Sequence, residues 1–340
     1  MKILFLSHRF YPDIGGIEVN SEILAEKYGF EGNEVHLITW TKQKGKKTFP
    51  YKVVRNPSIY VLIKEHIWAD IVYENNPCLR LSWPSFVLRK PRVIALRTWV
   101  SRKNGTITMQ DKIKLFWISK AKAVIAVSNA VRLRSWENAT VIGNPYRKNL
   151  FNNKTKGERG NSFAFLGRLV SDKGADLAIN ALNSIIKDTS DTRPFTFSII
   201  GDGPELNSLK KLVNDLKLAN NVSFKGVLRG QELVNSLNEH KFLLVPSIWE
   251  EPFGNIALEG MACGCIPIVS DGGGLPDAVG NAGLVFKRGD LDSLINAIRK
   301  IINNKELEIY LQKEAPKHLK EHYPEVIARK YLEVINNAII

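Results

Sequence analysis

Two glutamates eight positions apart, Glu251 and Glu259, are the residues of the chain best suited to binding a polyol. A Pro-Phe-Gly turn lies between them, after an apolar stretch that ends at Pro246 and before a helical segment that begins at Asn255. Both side chains are predicted to face the crevice at the carboxyl end of an open α/β sheet. Ionised carboxylates accept strong hydrogen bonds from hydroxyl pairs, which favours a sugar-nucleotide clamp. A helix-start glutamate and an unrelated surface glutamate are the alternative.

Two cations, Arg168 and Lys173, lie between another apolar stretch and the helix predicted after it. This position would place them where the crevice holds a diphosphate. Arginine binds phosphate oxygens in a bidentate manner, whereas lysine supplies a compact point charge. Surface ion pairing is the alternative for both side chains.

Glycines mark two further turns that could approach a ligand. Gly15 and Gly16 lie between the first predicted strand and its helix, where backbone amides favour a phosphate or another anion. The G-x-G-x-x-G spacing of a dinucleotide site is absent, so a simple tight turn is equally consistent. Gly201, in a Gly-Asp-Gly-Pro turn, would let the backbone approach a ligand closely. The alternative is a turn that only precedes a helix.

Strands and helices must position these residues. The distribution of apolar residues along the sequence predicts two series of such elements. Apolar strand-sized runs alternate with amphipathic helical segments from residue 2 to about residue 127 and again from residue 163. The polar segment 149–162 is the predicted linker between them. We predict domains at 1–150 and 162–320, and a helix over 324–340 that packs back on the first domain.

Charge is distributed unevenly between the two halves. The first 150 residues contain 25 Lys and Arg against 11 Asp and Glu, which accounts for the whole net charge of +14. Six of the seven tryptophans are also in that half. Basic charge mixed with amphipathic aromatics suits an anionic membrane surface. Nucleic acid would attract the same charge, but no nucleic-acid-binding motif accompanies it, so none is expected; a solvated basic face is the remaining alternative.

Apolar runs are far shorter than the ~20 residues of a spanning helix, and no secretory leader is recognised at Met1. We therefore expect a cytoplasmic protein that is soluble or peripheral on the cytoplasmic membrane face. The three cysteines are too few for a disulfide framework and are predicted to be reduced. Asp290-Leu291-Asp292 spells D-x-D but precedes an apolar helical pattern, so Asp290 is predicted to be a helix cap rather than a metal ligand.

Taken together, these motifs resemble the family-4 retaining glycosyltransferases of the glycosyl transferases group 1 class. The resemblance covers nearly the full length and includes Gly-Gly-Ile-Glu at 15–18, Ile-Gly-Asn-Pro at 142–145 and the glutamate pair followed by Gly272-Gly273. It implies the GT-B fold, an α/β architecture of two facing Rossmann-like doubly wound domains with a C-terminal helix crossing back to the first.

The resemblance also implies a role for each matching residue. The catalytic group would be Arg168 and Lys173 as diphosphate ligands and Glu251 as the contact to the transferred sugar. Glu259 would accept from the ribose hydroxyls, and the turn containing Val227 would face the nucleobase. The implied donor-binding set is completed by Gly16, Arg97, Gly201, Phe253, Gly254, Asn255 and Ile256. Gly15 and Gly16 would form an acceptor or phosphate loop.

Arg97 departs from the family pattern, because many members carry a histidine after this strand, facing the donor sugar. Arginine replaces a switchable imidazole with a permanent cation. It would recognise an anionic donor or acceptor, or serve as a structural ion-pair residue.

The predicted function is transfer of a sugar from a nucleotide-diphosphate-sugar to a glycan or lipid-linked acceptor, in cell-surface polysaccharide or glycolipid biosynthesis. With two cations to neutralise the leaving diphosphate, no metal and no cofactor beyond the donor substrate are expected. A nucleotide-sugar epimerase and a non-catalytic nucleotide-sugar-binding protein are the alternatives.

Overall fold

The chain folds as two α/β units, each built on its own parallel β-sheet. The computed structural model describes residues 1–13, 15–101, 106–155, 157–188 and 194–339. Unit 1 comprises Met1–Pro145 together with the C-terminal segment from His322, and unit 2 comprises Tyr146–Glu321. Unit 1 is therefore built from two separate stretches of chain, whereas unit 2 is continuous.

Among the described residues, the sheet of unit 1 has seven parallel strands. They are β1 (Lys2–Leu6), β2 (Glu34–Thr39), β3 (Lys52–Arg55), β4 (Ile71–Asn75), β5 (Arg92–Leu96), β6 (Ala123–Ala126) and β7 (Thr140–Val141). Their order, β3-β2-β1-β4-β5-β6-β7, reverses between β1 and β4, which creates a topological switch point. β4 and β5 are buried along their whole length, as expected for central parallel strands covered on both faces.

The helices of unit 1 that precede unit 2 are α1 (Gly16–Phe30), α2 (Ile59–Trp68), α3 (Leu79–Val87), α4 (Met109–Ser119) and α5 (Asn129–Ser135). Hydroxyl side chains cap several of them. Ser58 and Ser128 accept from backbone amides at the starts of α2 and α5, and Thr108 forms a reciprocal capping box with Asp111 at the start of α4. Such caps satisfy amides that have no partner within the helix.

Within the described part of unit 2, the sheet has six parallel strands in the order β10-β9-β8-β11-β12-β13. They are β8 (Asn161–Leu166), β9 (Phe195–Ile200), β10 (Val222–Gly226), β11 (Phe242–Val245), β12 (Ile266–Ser270) and β13 (Leu284–Phe286). The helices of this unit are α6 (Ala175–Asp188), α7 (Leu206–Asp215), α8 (Gly230–Asn238), α9 (Asn255–Ala262), α10 (Leu275–Val279), α11 (Leu291–Ile302) and α12 (Lys305–Glu321). The order reverses between β8 and β11, so the prediction of two doubly wound parallel sheets is confirmed.

The final helix, α13 (Pro324–Asn337), belongs to unit 1. Its buried side chains, including Ile327, Tyr331 and Ile335, join the same core cluster as Phe5 and Tyr28. The Tyr331 ring lies edge-on to that of Tyr73 of β4, with centroids 6.1 Å apart. The helix thus completes one face of the unit 1 sheet.

The polar segment predicted as a linker, 149–162, is held on unit 2 over the part that the structure describes. Phe151 is 1% exposed. Asn238 of α8 donates to the Asn152 carbonyl and accepts from the Lys154 amide and the Thr155 hydroxyl. Strand β8 begins inside this segment, at Asn161. The division between the units falls earlier, after Pro145.

Smaller expectations can be compared with the structure directly. The three cysteines are buried and unpaired, as predicted. Asp290 accepts a hydrogen bond from the Ser293 amide at 2.9 Å and caps α11, which confirms the capping interpretation. In the described ranges, no helix is both long and apolar enough to cross a membrane.

Candidate active site

The loops after β8 and β9 approach each other at the carboxyl edge of the unit 2 sheet. Gly201 has φ +145°, and a Cβ there would lie 1.8 Å from the Gly167 carbonyl oxygen. The Leu169 amide donates to the Asp202 carbonyl at 2.9 Å. Only glycine fits at position 201, because any side chain would separate the two loops.

The loop after β8 also contacts the loop after β11, across the switch point. The Asp172 carbonyl accepts from the amides of Ile248 and Trp249, both at 2.9 Å. Gly174 has φ +69°, and a Cβ there would meet the Pro246 carbonyl oxygen at 2.1 Å. Backbone contacts therefore hold the loop that contains Lys173 against the segment that contains Glu251.

Lys173 and Glu251 form the central contact of this edge. Lys173 Nζ donates to Glu251 Oε1, and the Ser247 hydroxyl donates to the same oxygen at 3.0 Å. The two charged side chains are 23% and 17% exposed, so both remain accessible to a ligand. The sequence placed these charges in the same crevice, and the structure brings them together.

The backbone of Glu251 is fixed from the other side by the loop after β12. Its carbonyl accepts from the Gly274 amide at 2.7 Å, and Glu251 forms an isolated parallel bridge with Gly273. Gly273 has φ +69°, and a Cβ there would lie 2.2 Å from the Glu251 carbonyl oxygen. Loops after β8, β11 and β12 thus hold one carboxylate in place.

Glu259 lies on α9, the helix that follows the loop containing Glu251. Its side chain is 15% exposed, and Arg147 Nη2 is 3.8 Å from its Oε1. Burial raises the pKa of Glu259 to about 7, although the charge of Arg147 acts in the opposite direction. The carboxylate is therefore close to half ionised at neutral pH, which suits a group that gains charge-assisted hydrogen bonds when a ligand arrives.

The start of α9 forms the remaining part of this edge. Gly254 has φ +110°, and a Cβ there would lie 2.4 Å from Leu275 Cδ2 of α10. Phe253 is buried at 3% exposure, while Gly254, Asn255 and Ile256 are partly exposed. A helix N-terminus at the carboxyl edge of a sheet favours anionic ligands.

Two other predicted residues of unit 2, Arg168 and Val227, lie in loops that follow strands of the same sheet. Arg168 is exposed in the loop after β8, and the described residues place no carboxylate within ion-pair distance of it. Val227 follows β10 and is 56% exposed. Arg147 and Ser247 were not predicted. Ser247 could have been inferred from its position four residues before Glu251, whereas nothing in the sequence links Arg147 to Glu259.

In unit 1, Gly15 directly precedes α1 and Gly16 is the first residue of that helix, after β1 as predicted. Gly15 is the N-cap residue with extended backbone (φ −176°), and a Cβ there would meet the Glu18 carboxylate at 2.4 Å. The Glu18 side chain therefore folds back over the loop.

Arg97 follows β5 and is only 5% exposed, inside unit 1. Its Nε, Nη1 and Nη2 donate to Asn75 Oδ1 at 2.6 Å, Asn144 Oδ1 at 2.9 Å and the Tyr73 hydroxyl at 3.0 Å. The guanidinium carbon lies 5.0 Å from the centroid of the Tyr331 ring. Within the described residues its partners are neutral oxygens and a ring face, not the carboxylate of an ion pair. Its predicted contact with the donor stays a prediction.

In the part of the chain that the structure describes, no group of three or more His, Cys, Asp or Glu side chains is placed to hold a metal ion. The chemistry of the unit 2 edge is carried by one carboxylate paired with a lysine, a second carboxylate with a raised pKa and a helix N-terminus. Together these groups can bind hydroxyls and a diphosphate.

Comparison with known proteins gives a consistent result. A sequence profile of the family "Glycosyl transferases group 1" matches residues 147–318, just over half of the chain. An uncharacterised glycosyltransferase of Methanocaldococcus jannaschii is 27% identical over 335 residues, covering 90% of each chain.

Crystal structures of HepE from Anabaena are similar over 99% of this chain and 100% of theirs. The complex with UDP gives a TM-score of 0.82 at 20% identity, and the complex with UDP-glucose gives 0.79 at 21% identity. This likeness shows the fold, which is the GT-B fold.

Proposed function

Because the chain belongs to the glycosyl transferases group 1 family, we propose that it transfers a sugar from a nucleoside diphosphate sugar to an acceptor, with retention at the anomeric carbon. The observation that supports this most is the contact of Lys173 with Glu251 at the switch point of unit 2. A cation and a carboxylate side by side match the two halves of such a donor, the diphosphate and the sugar hydroxyls.

The donor we propose is a uridine diphosphate sugar. HepE, which shares the fold, was crystallised with UDP and with UDP-glucose. The nucleobase would lie near the turn at Val227, and Glu259 would accept from the ribose hydroxyls. Gly201 would allow the backbone close to the donor.

Donor binding would exchange the contact between Lys173 and Glu251 for contacts of each with the donor. Lys173 and Arg168 would bind the diphosphate, and the amides at the start of α9 would add partial positive charge. Glu251 would then accept from sugar hydroxyls, while the Ser247 hydroxyl keeps it oriented. Gly16 and Arg97 stay in the proposed donor-binding set.

Catalysis would come from these positive groups. Negative charge develops on the diphosphate as the glycosidic bond breaks, and preorganised cations stabilise it more in the transition state than in the ground state. Two side-chain cations would serve where other transferases use a divalent metal. We assign no covalent nucleophile, because Glu251 is used for hydroxyl binding; the acceptor would attack on the face from which the diphosphate leaves.

The acceptor is proposed to be a glycan or a lipid-linked glycan that binds unit 1. The basic charge of the first 150 residues supports an acceptor at an anionic membrane surface on the cytoplasmic side, in polysaccharide or glycolipid synthesis. The loop of Gly15 and Gly16, at the start of α1, is the proposed anion-binding part of that site, and an anion there would displace the Glu18 carboxylate that lies over the loop.

The proposal is tested by incubating the protein with a panel of UDP-sugars and a membrane extract and measuring UDP release and sugar transfer. The Lys173→Ala variant should lose transfer, whereas Lys317→Ala, which removes a surface ion pair with Glu314 at 2.5 Å, should not. Epimer formation without an acceptor would identify an epimerase instead. Donor binding without UDP release from any donor would identify a binding protein.

A further inference from the structure

Helix α4 exposes an apolar stripe to solvent. Met109, Ile113 and Phe116, spaced at i, i+4 and i+7, are 71%, 50% and 56% exposed. Trp117 and Ile118 of the same helix are buried. A surface helix normally presents polar side chains to solvent, so an exposed apolar stripe on α4 is unusual.

Helix α3 also exposes apolar side chains, while two serines lie with Leu81 on its buried face. Trp83, Phe86 and Val87 are 39%, 50% and 70% exposed, while Ser82 and Ser85 are buried. Ser82 donates to the buried carboxylate of Glu74 at 2.6 Å, and Ser85 donates to the Ser82 carbonyl at 2.5 Å. Ser82 is inside because a buried carboxylate needs donors, and the aromatic residues are left outside.

The two stripes belong to neighbouring helices. The ring of Phe86 on α3 lies 6.1 Å from that of Trp117 on α4. We call the exposed side chains of both helices the α3–α4 surface; they are Trp83, Phe86, Val87, Met109, Ile113 and Phe116. An apolar surface of this kind marks an interaction site in a folded protein.

This part of the chain is strongly basic in sequence. Residues 75–136 contain thirteen Lys and Arg, of which Arg92 and Arg97 are buried, and a single acidic residue, Asp111. Asp111 is buried, caps α4 and lies 3.6 Å from Lys114 Nζ, so it offsets the charge of one lysine only. Lys112 on α4 and Lys120, the residue directly after it, are exposed, and Lys120 Nζ lies 5.4 Å from the centroid of the Phe116 ring.

We propose that the α3–α4 surface docks on an anionic lipid bilayer, with its apolar side chains inserted at the level of the headgroups. Aromatic and aliphatic side chains flanked by lysines are the chemistry that such an interface binds. A second copy of the chain is a poor occupant, because it would bring two sets of lysines together. The inference rests on the proposed function in one respect, that the acceptor is lipid-linked and lies at this interface.

Flotation with phosphatidylcholine vesicles, with and without phosphatidylglycerol, tests the proposal. The protein should bind the anionic vesicles, and added salt should weaken binding. The Ile113→Gln/Phe116→Gln variant should partition at least about tenfold more weakly. The Lys112→Gln/Lys120→Gln variant should lose about thirtyfold on anionic vesicles. The control is Ile309→Gln/Tyr310→Gln on α12 of unit 2, whose side chains are 55% and 50% exposed; it should bind like wild type.

Equal binding of both α4 variants and wild type, or no vesicle binding by wild type, would overturn the proposal. So would a dimer in gel filtration that Ile113→Gln/Phe116→Gln converts to a monomer, since this would make a second copy the occupant. UDP binding measured by calorimetry separates the docking proposal from the transferase proposal. The α4 variants should keep it, and Lys173→Ala should lose turnover while keeping vesicle binding.

Discussion

Replacing Glu259 with glutamine should stabilise the protein at alkaline pH while weakening donor binding. Burial raises the pKa of Glu259 from its ordinary value of 4.5 to about 7. Between these values the folded protein binds more protons than the unfolded chain, so the free energy of unfolding falls as pH rises through this window. This shift in pKa corresponds to about 3 kcal/mol of unfolding free energy, which is lost in full above pH 7.

Glutamine keeps the shape of the side chain without the charge. Wild type and Glu259→Gln should therefore unfold with similar free energies near pH 4, and the variant should be more stable by about 3 kcal/mol at pH 8. Calorimetric melting across this range measures the difference. The control is Glu314→Gln on α12, which removes a surface carboxylate paired with Lys317 and should give no gain at alkaline pH.

The same carboxylate should make donor binding depend on pH. If UDP-glucose binds the ionised form, its affinity should rise about tenfold from pH 6 to pH 8, and binding near pH 7 should release about half a proton. Titration calorimetry in two buffers of different ionisation enthalpy measures this release. Glu259→Gln should bind about tenfold or more weakly and show no pH dependence in this range. Unchanged affinity of the variant, or equal stability of both proteins at pH 8, would refute the reasoning.

Three further substitutions test the unit 2 edge. Lys173→Ala should lower kcat about 100-fold or more with a smaller effect on KM, because its charge acts on the leaving diphosphate; an unchanged kcat in a UDP-release assay would remove it from that role. Ser247→Ala should lower kcat/KM about tenfold or more, since it deletes one charge-assisted hydrogen bond to the Glu251 carboxylate, and should leave the melting temperature nearly unchanged; a normal kcat/KM would mean that Ser247 does not orient the carboxylate in the donor complex. Gly174→Ala should cost about 2 kcal/mol or more of stability in urea unfolding, because φ is +69° and the new Cβ meets the Pro246 carbonyl, and wild-type stability would contradict that loop geometry.

Local patterns were sufficient to predict several features. Alternation of apolar runs and helical segments predicted both parallel sheets, because each strand and helix is encoded within its own stretch of chain. The loop positions of Lys173 and Glu251 followed from their places after β8 and β11. Parallel strands next to each other end at the same edge of a sheet, which explains why these two residues meet.

Features that depend on distant partners were not predictable in the same way. The environment of Arg97 is made by Asn75, Asn144 and Tyr331, which come from three separate parts of the chain. The partner of Glu259, Arg147, lies more than a hundred residues before it. No periodicity in a single segment reports such contacts.

The exposed aromatic residues of α3 illustrate a different limit. Apolar periodicity normally identifies the buried face of a helix, and by that rule Trp83 and Phe86 would be assigned to the core. Ser82 instead lies on the buried face beside Leu81, because Glu74 is buried beneath it and needs donors. A single buried carboxylate on β4 thus explains why a serine of α3 is buried while aromatic residues of the same helix meet solvent.

The division of unit 1 into two stretches of chain bears on how the protein is synthesised. All of unit 2 is translated before α13 emerges from the ribosome, so unit 2 is expected to fold while the first sheet still lacks the helix that covers Phe5, Tyr28 and Tyr73. Until then, that aromatic face is open to chaperones and to aggregation. The nascent chain is therefore most vulnerable in its earliest-made half.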